Sequence, residues 1–95
     1  MSAGRDLQVR VAALTQELWP DSVDVWRRLS KLTEEVGELN RAIIGEDEGR
    51  PDRGVPEEEA VQALVVLLSI VGLHYPHLDL IAEAEAYIVR FGEGR

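Results

Sequence analysis

The residues of this chain whose type and spacing could do chemistry are the glutamates of residues 31–39. This segment reads Lys-Leu-Thr-Glu-Glu-Val-Gly-Glu-Leu. If it is helical, Glu35 and Glu38 lie on one face, because a helix turns by about 100° per residue, and Lys31 lies one turn before Glu35. Two carboxylates so placed could share one hard divalent cation. The alternative interpretation is an acidic helix face that is simply exposed to water.

A third carboxylate comes from further along the chain. Glu58 and Glu59 lie in the first turn of a segment that follows Pro56. If this segment runs antiparallel to the first, its start faces the latter part of the first, and Glu59 joins Glu35 and Glu38. Three or four carboxylates with water form an oxygen site that suits Mg²⁺ or Mn²⁺. Such a metal suits phosphate-ester or phosphoanhydride hydrolysis, since it bridges phosphate oxygens and generates hydroxide.

Four helices are predicted to position these residues, at about residues 6–18, 22–44, 57–73 and 78–91. In the first, second and fourth segments the apolar residues recur at three- and four-residue spacing, which is typical of a helix with one apolar face. The β-branched residues of the third segment make a buried strand the alternative, but its length and its helical neighbours favour a helix. We expect Asp21 to cap the second helix and Gly45 to end it in the left-handed conformation. Residues 45–56 are predicted to be a loop, because their glycines and prolines disfavour regular structure.

The distribution of apolar residues predicts that two copies of the chain associate. The third helix is apolar nearly all round, since only Gln62 and Ser69 interrupt residues 60–73 with polar side chains. Such a helix must be buried on most sides, and three other helices can barely surround it. We therefore expect a homodimer, or a dimer of dimers, with this helix at or near the interface. The other helices have apolar stripes: Leu7, Val11, Leu14 and Leu18; Leu29, Leu32, Val36, Leu39 and Ile43; Leu80 or Ile81, Ala84, Tyr87, Ile88 and Phe91.

Composition narrows the class of protein. Ninety-five residues form one domain, 1–95, and a net charge of -8 disfavours nucleic acid or an anionic membrane as partner. The chain has no cysteine, which excludes disulfides and thiolate metal sites. The N-terminus does not resemble a signal peptide, and the longest apolar run, residues 63–68, is far too short to span a membrane. We expect a cytoplasmic protein.

His74 and His77 flank a proline turn and are interpreted as loop residues rather than metal ligands.

The motif at residues 31–39 resembles the E-E-x-x-E signature of the MazG-like, all-α nucleoside triphosphate pyrophosphohydrolases. That family follows the signature, after a loop, with E-x-x-D at the start of a hydrophobic helix. Residues 58–62, Glu-Glu-Ala-Val-Gln, stand where this second motif is expected. The resemblance covers about residues 20–75. It implies an all-α, four-helix MazG-like bundle that dimerises through the hydrophobic third helix.

The resemblance also implies an activity and roles for individual residues. The family cleaves NTPs or dNTPs between the α and β phosphates, giving a nucleoside monophosphate and pyrophosphate, with Mg²⁺ (or Mn²⁺ as a substitute) held by the acids. Carried over to this chain, the metal ligands would be Glu35, Glu38 and Glu59, the catalytic acids Glu34, Glu35 and Glu38, and the nucleotide contacts Lys31 and Gln62.

The sequence departs from the family pattern at two places. Gln62 occupies the position of the E-x-x-D aspartate. Its side-chain carbonyl could reach a metal but brings no charge, so the affinity for the metal should fall. The alternative interpretation is that the Gln62 side chain simply faces solvent. Residues 79–90 contain neither the Lys nor the Asn that the family's fourth helix offers to the nucleotide, although Arg90 could replace part of that contact. Two hypotheses follow: a Mg²⁺-dependent pyrophosphohydrolase that is weak or narrow in substrate, or a catalytically degenerate helical dimer that acts as a binding or scaffold protein. The first is favoured, because the fold alone does not require the lysine and glutamates of the first motif.

Overall fold

The computed structural model describes residues 2–93, which form four α-helices and two short 3-10 helices. The α-helices are α1 (Ala3–Leu18), α2 (Val25–Asp47), α3 (Pro56–His74) and α4 (Leu80–Gly92). The 3-10 helices are Pro20–Ser22 and Pro51–Arg53. Within residues 2–93 there is no strand, so the predicted all-α class is confirmed. No helix in this range has both the length and the apolar character needed to cross a membrane.

The start of α2 differs from the prediction. Asp24 is the N-cap, because its side chain accepts a hydrogen bond of 3.0 Å from the backbone N–H of Arg27. The predicted cap, Asp21, is wrong, because this residue lies within the 3-10 helix Pro20–Ser22. The backbone carbonyl of Asp21 instead accepts a hydrogen bond from the Arg27 side chain.

The end of α2 also differs from the prediction. Gly45 lies within the helix and is buried, so the predicted left-handed end at this position is wrong. A Cβ on Gly45 would lie 2.7 Å from Arg53 Cγ and 2.9 Å from the Arg50 carbonyl oxygen. The glycine is therefore needed because the turn Pro51–Arg53 packs directly against the helix. The left-handed conformation occurs four residues later, at Gly49, whose φ is 69°.

The core lies where α3 packs against both α1 and α2. Its buried apolar residues are Val11, Ala12, Ala42, Val66, Leu68, Ile70 and Val71. Four of these seven belong to α3, which agrees with the apolar character of its sequence. Five buried residues are polar or charged: Gln8, Thr15, Arg28, Glu35 and Ser69.

The fourth helix is attached to this core mainly at its N-terminal end. Gln8, which is buried in α1, donates from Nε2 to the carbonyl oxygen of Leu78 at 2.6 Å and accepts from the backbone N–H of Leu80 at 2.8 Å. Asp79 caps α4 by accepting from the Ala82 N–H at 3.1 Å. Beyond this attachment, α4 contributes no buried residue. In the single chain, three helices thus pack around the core, and the four-helix bundle stays a prediction.

The predicted apolar stripes lie largely on the surface of the single chain. On α2, Leu29, Val36 and Ile43 are 41%, 51% and 53% exposed. The stripe of α4 is exposed except at Leu80, which is half-buried, and on α1 only Val11 of the predicted stripe is buried. The face of α2 that is buried instead repeats every seven residues: Arg28, Glu35 and Ala42. The apolar stripe of α2 therefore points away from the contact of this helix with α3.

The molecule is flat and open for its size. Its principal extents are 45 × 42 × 21 Å and its radius of gyration is 15.5 Å, whereas a globular chain of this length has a radius of gyration of about 12 Å. It exposes 6833 Å², against about 5,500 Å² for a globular monomer of this mass.

Candidate metal centre

Three glutamates of α2 form a compact group of carboxylates. One carboxylate oxygen each from Glu34, Glu35 and Glu38 lies within 4.8 Å of the others. The helix places them together because residues three and four apart share a face. Glu35 is only 5% exposed, since it faces α3. This burial distinguishes the group from a purely solvated acidic face.

Lys31 neutralises part of this negative charge. Its Nζ lies 3.0 Å from Glu35 Oε1 and 3.6 Å from Glu34 Oε1. The hydrogen bond to Glu35 is the main reason why the pKa of Lys31 is raised. Lys31 therefore stays positively charged at neutral pH, one turn from the carboxylates.

Glu59, at the start of α3, lies beside the carboxylates of α2. The pKa of Glu38 is raised, first by the negative charge of Glu35 and further by partial desolvation and a hydrogen bond with Glu59. Packing of α3 against α2 thus brings Glu59 to Glu38, as expected, but the carboxylates that lie within 4.8 Å of one another are those of Glu34, Glu35 and Glu38, without Glu59. The role of Glu35, Glu38 and Glu59 as metal ligands stays a prediction.

Gln62 faces the same group, although its side chain is largely exposed. With its amide nitrogen turned towards the acids, it donates to Glu35 Oε2 at 3.1 Å and to Glu59 Oε2 at 3.3 Å. The side chain thus links a carboxylate of α2 to one of α3. To reach a cation held by these acids, the amide would have to turn so that its oxygen faces inward. The donor set of carboxylate oxygens fits Mg²⁺ or Mn²⁺.

Arg28 is a residue of this region that the sequence analysis missed. It is only 6% exposed, and its terminal nitrogens donate to the hydroxyls of Ser22 at 3.0 Å and Ser69 at 3.4 Å. Its Nε is buried and has no hydrogen-bond partner among residues 2–93. The spacing carried a signal: Arg28 precedes Glu35 by seven residues, and Ser69 follows Gln62 by seven. In an antiparallel pair of helices, these residues must meet once Glu35 meets Gln62.

A cavity of about 490 Å³ adjoins the acidic group. Its apolar lining includes Trp19, which follows α1, and Val61, Val65 and Val66 of α3. Its polar and charged lining consists of Thr15, Ser22, Arg28, Lys31, Glu35, Gln62 and Ser69. Glu35 therefore belongs both to the cavity and to the acidic group, and Lys31 and Gln62 line the cavity and contact Glu35, so a ligand in the cavity could reach a metal held there.

The two histidines lie elsewhere. His74 is the last residue of α3, and its Nε2 lies 2.7 Å from the carbonyl oxygen of Val23. His77 lies in the exposed turn before α4.

No protein-family model, curated protein or solved structure matches this chain. The resemblance to the MazG-like family thus depends on the two motifs alone, and membership of that family stays a prediction.

Proposed function

We propose that this chain is a Mg²⁺-dependent nucleoside triphosphate pyrophosphohydrolase that converts an NTP or dNTP into a nucleoside monophosphate and pyrophosphate. The observation that supports the proposal is the group of Glu34, Glu35 and Glu38 beside Lys31, with Glu59 next to Glu38, at the edge of a cavity large enough for a small organic ligand. Crowded carboxylates repel one another, as the raised pKa of Glu38 reflects, and a divalent cation would relieve this repulsion.

Different residues of the site would bind the metal, orient the attacking water and contact the nucleotide. Glu35, Glu38 and Glu59 would hold Mg²⁺, or Mn²⁺ in its place, and the bound cation would polarise the phosphate and activate water. Glu34 is exposed within the carboxylate group and could orient the attacking water. Lys31 places a positive charge beside the site, where it would attract the phosphates of the nucleotide.

We further propose that the working form is a homodimer, or a dimer of dimers, in the cytoplasm, where nucleotides are abundant. The excess surface area and the exposed stripes of α2 and α4 support association. The exposed residues Val61, Leu64 and Val65 of α3 support the expectation that this helix lies at or near the interface.

A product assay tests the activity. Pure protein would be incubated with a panel of NTPs and dNTPs and Mg²⁺ or Mn²⁺, and the products separated by ion-exchange chromatography. We expect monophosphate and pyrophosphate, formed only with metal and lost in Glu38→Ala. Glu58→Ala is the matched control, because Glu58 is an exposed glutamate of the same acidic region. Equal turnover in Glu38→Ala and the unsubstituted protein would contradict the proposal.

The second candidate function is that of a helical dimer that binds or scaffolds without catalysis. Gln62 favours it, since an amide replaces the charged ligand of the E-x-x-D motif and already bonds Glu35 and Glu59. Absence of product across the whole panel, from protein that is folded and dimeric, would favour this candidate over the enzyme.

A further inference from the structure

Arg28 is a buried cation that has no acidic partner among residues 2–93. Guanidinium stays charged at all ordinary pH values, and the ion pairs within residues 2–93 do not include Arg28. Its two side-chain hydrogen bonds go to the hydroxyls of Ser22 and Ser69, and therefore use only two of its five N–H donors. A buried charge that is satisfied only by neutral hydroxyls is costly to the fold. This cost points to a ligand that supplies hydrogen-bond acceptors.

The position of Arg28 indicates which part of a ligand would meet it. Arg28 lies seven residues before Glu35 on α2, and therefore about 10 Å from it along the helix axis. Both residues line the same cavity. This separation is comparable to the distance between the phosphates of a nucleotide and the far edge of its base. A ligand with its phosphates at the carboxylate group would place its base near Arg28.

The walls between these two ends suit a ring rather than a phosphate chain. The ring of Trp19 and the side chains of Val61, Val65 and Val66 line the cavity. A phosphate in such surroundings would lose its water without gaining donors from the walls, whereas a flat heteroaromatic ring buries apolar surface there.

We propose that Arg28 selects the base, and that the cavity takes nucleotides whose base presents two adjacent hydrogen-bond acceptors on one edge. Cytosine presents O2 and N3 in this way, and guanine presents O6 and N7. The inference rests on the proposed nucleotide function and adds to it the substrate class. Ser69 positions Arg28: its hydroxyl donates to the Val66 carbonyl oxygen at 2.6 Å and is thereby oriented to accept from the guanidinium.

The other bases do not offer this pattern. Adenine places its N6 amino group, a hydrogen-bond donor, beside N7 and N1. One of the two N–H groups of the guanidinium would therefore face another donor. Uracil and thymine carry an N3–H between their two carbonyl groups. Since the arginine side chain has donors only, it can donate one hydrogen bond to an edge of adenine, uracil or thymine, but not two side by side.

Binding of non-hydrolysable nucleotides tests the inference independently of turnover. The α,β-methylene analogues of CTP, GTP, ATP and UTP would be titrated with Mg²⁺ into the full chain by calorimetry, and hydrolysis of the four natural nucleotides measured alongside. We expect the CTP and GTP analogues to bind at least about tenfold more tightly than the other two. Arg28→Met should reduce this ratio to near one, because it keeps the aliphatic stem and removes the fork.

Arg27→Met is the matched control, because Arg27 is the exposed neighbour of Arg28 on the same helix; it should leave the ratio unchanged. If Arg28→Met does not fold by circular dichroism, Arg28→Lys replaces it; this substitution keeps the charge and should also lose the preference.

Equal binding of all four analogues, or a preference that persists in the Arg28 variant, would overturn the inference. Hydrolysis without base preference overturns it while leaving the proposed function intact. Selective binding without hydrolysis supports it and counts against catalysis, and no binding at all overturns both.

Discussion

Glu38 is the residue at which the crowding of charge is most evident. Its neighbours Glu35 and Glu59 both raise its pKa above the ordinary value for a glutamate. The folded state therefore binds a proton at Glu38 more readily than the unfolded state does. The stability that this proton contributes is present at low pH and is lost as the pH rises through the folded-state pKa. At neutral pH and without metal, the ionised side chain thus opposes folding.

We predict that Glu38→Gln raises the thermal midpoint of the metal-free protein at pH 7 and low salt, because it removes one charge and keeps a hydrogen-bonding side chain. The gain should shrink as the pH falls through the raised pKa of Glu38, because the glutamate of the original chain then becomes protonated, and it should be smallest below the ordinary pKa of about 4.5. Scanning calorimetry between pH 4 and pH 8 measures the difference. Glu58→Gln is the control. A gain that is the same at every pH would show that charge is not its cause.

We predict that Gln62→Asp tightens binding of Mg²⁺ or Mn²⁺ by about tenfold, since a fourth carboxylate joins the group, and that it raises any hydrolysis. Without metal, the same substitution should lower the thermal midpoint, because the donor to Glu35 and Glu59 is replaced by a like charge. Calorimetric titration of Mn²⁺ measures the first effect, and Gln62→Asn controls for the shorter side chain. Unchanged metal affinity would mean that residue 62 does not reach the metal position.

At this scale, the sequence predicted the acidic group better than the cavity beside it. The spacing of Glu35 and Glu38, with an antiparallel third helix, predicted that Glu59 lies near Glu38, but it did not predict that Glu34 rather than Glu59 completes the compact group. The burial of Arg28 was not predicted, because an arginine on a helix is ordinarily exposed. Its burial depends on the hydroxyl of Ser69, which lies far away in the sequence and becomes its neighbour only when α2 and α3 pack.

At the scale of elements, α1 and α3 approach each other closely at Gly72. A Cβ on Gly72 would lie 2.9 Å from Ala12 Cβ and 3.1 Å from the carbonyl carbon of Gln8. The glycine therefore allows the backbones of the two helices to approach. Gly37, in contrast, has open space around the position where its Cβ would be.

These two glycines form a matched pair for mutation. We predict that Gly72→Ala destabilises the protein by about 1–3 kcal/mol, because α1 must move away from α3. Gly37→Ala should stabilise it by about 0.5–1 kcal/mol, since alanine has the higher helix propensity. Urea unfolding followed by circular dichroism measures both. Similar stability of the two variants would contradict the close approach of α1 and α3.

The number and order of the helices were predictable from periodicity, but their buried faces were not. The stripe of Leu29, Val36 and Ile43 satisfies the rule for a core-facing surface, yet α3 packs beside it against Arg28 and Glu35. Periodicity shows which side of a helix avoids water. It does not distinguish contact within a chain from contact with a second copy.

At the scale of the whole molecule, the flat shape and large exposed apolar area lead to a prediction about mass. We expect light scattering at micromolar concentration to give at least twice the mass of a single chain. Leu64→Asp should shift it towards the monomer, because Leu64 is exposed on α3 and does not line the cavity. Gln16→Asp adds the same charge at an exposed polar position of α1 and should leave the mass unchanged. A monomeric mass for the unsubstituted chain would contradict the proposed dimer.

The polar residues between α2 and α3 also bear on how the chain folds. Apolar helix faces tolerate many relative alignments, because burial is not directional. If α3 slid by one turn along α2, Arg28 would lose Ser69 and Glu35 would lose Gln62 at the same moment. Misaligned chains would therefore have buried polar groups with fewer hydrogen-bond partners, although Glu35 would keep Lys31 of its own helix, and would be short-lived. The residues proposed to bind the nucleotide thus also favour the native alignment of α2 and α3 over shifted alignments while the protein folds.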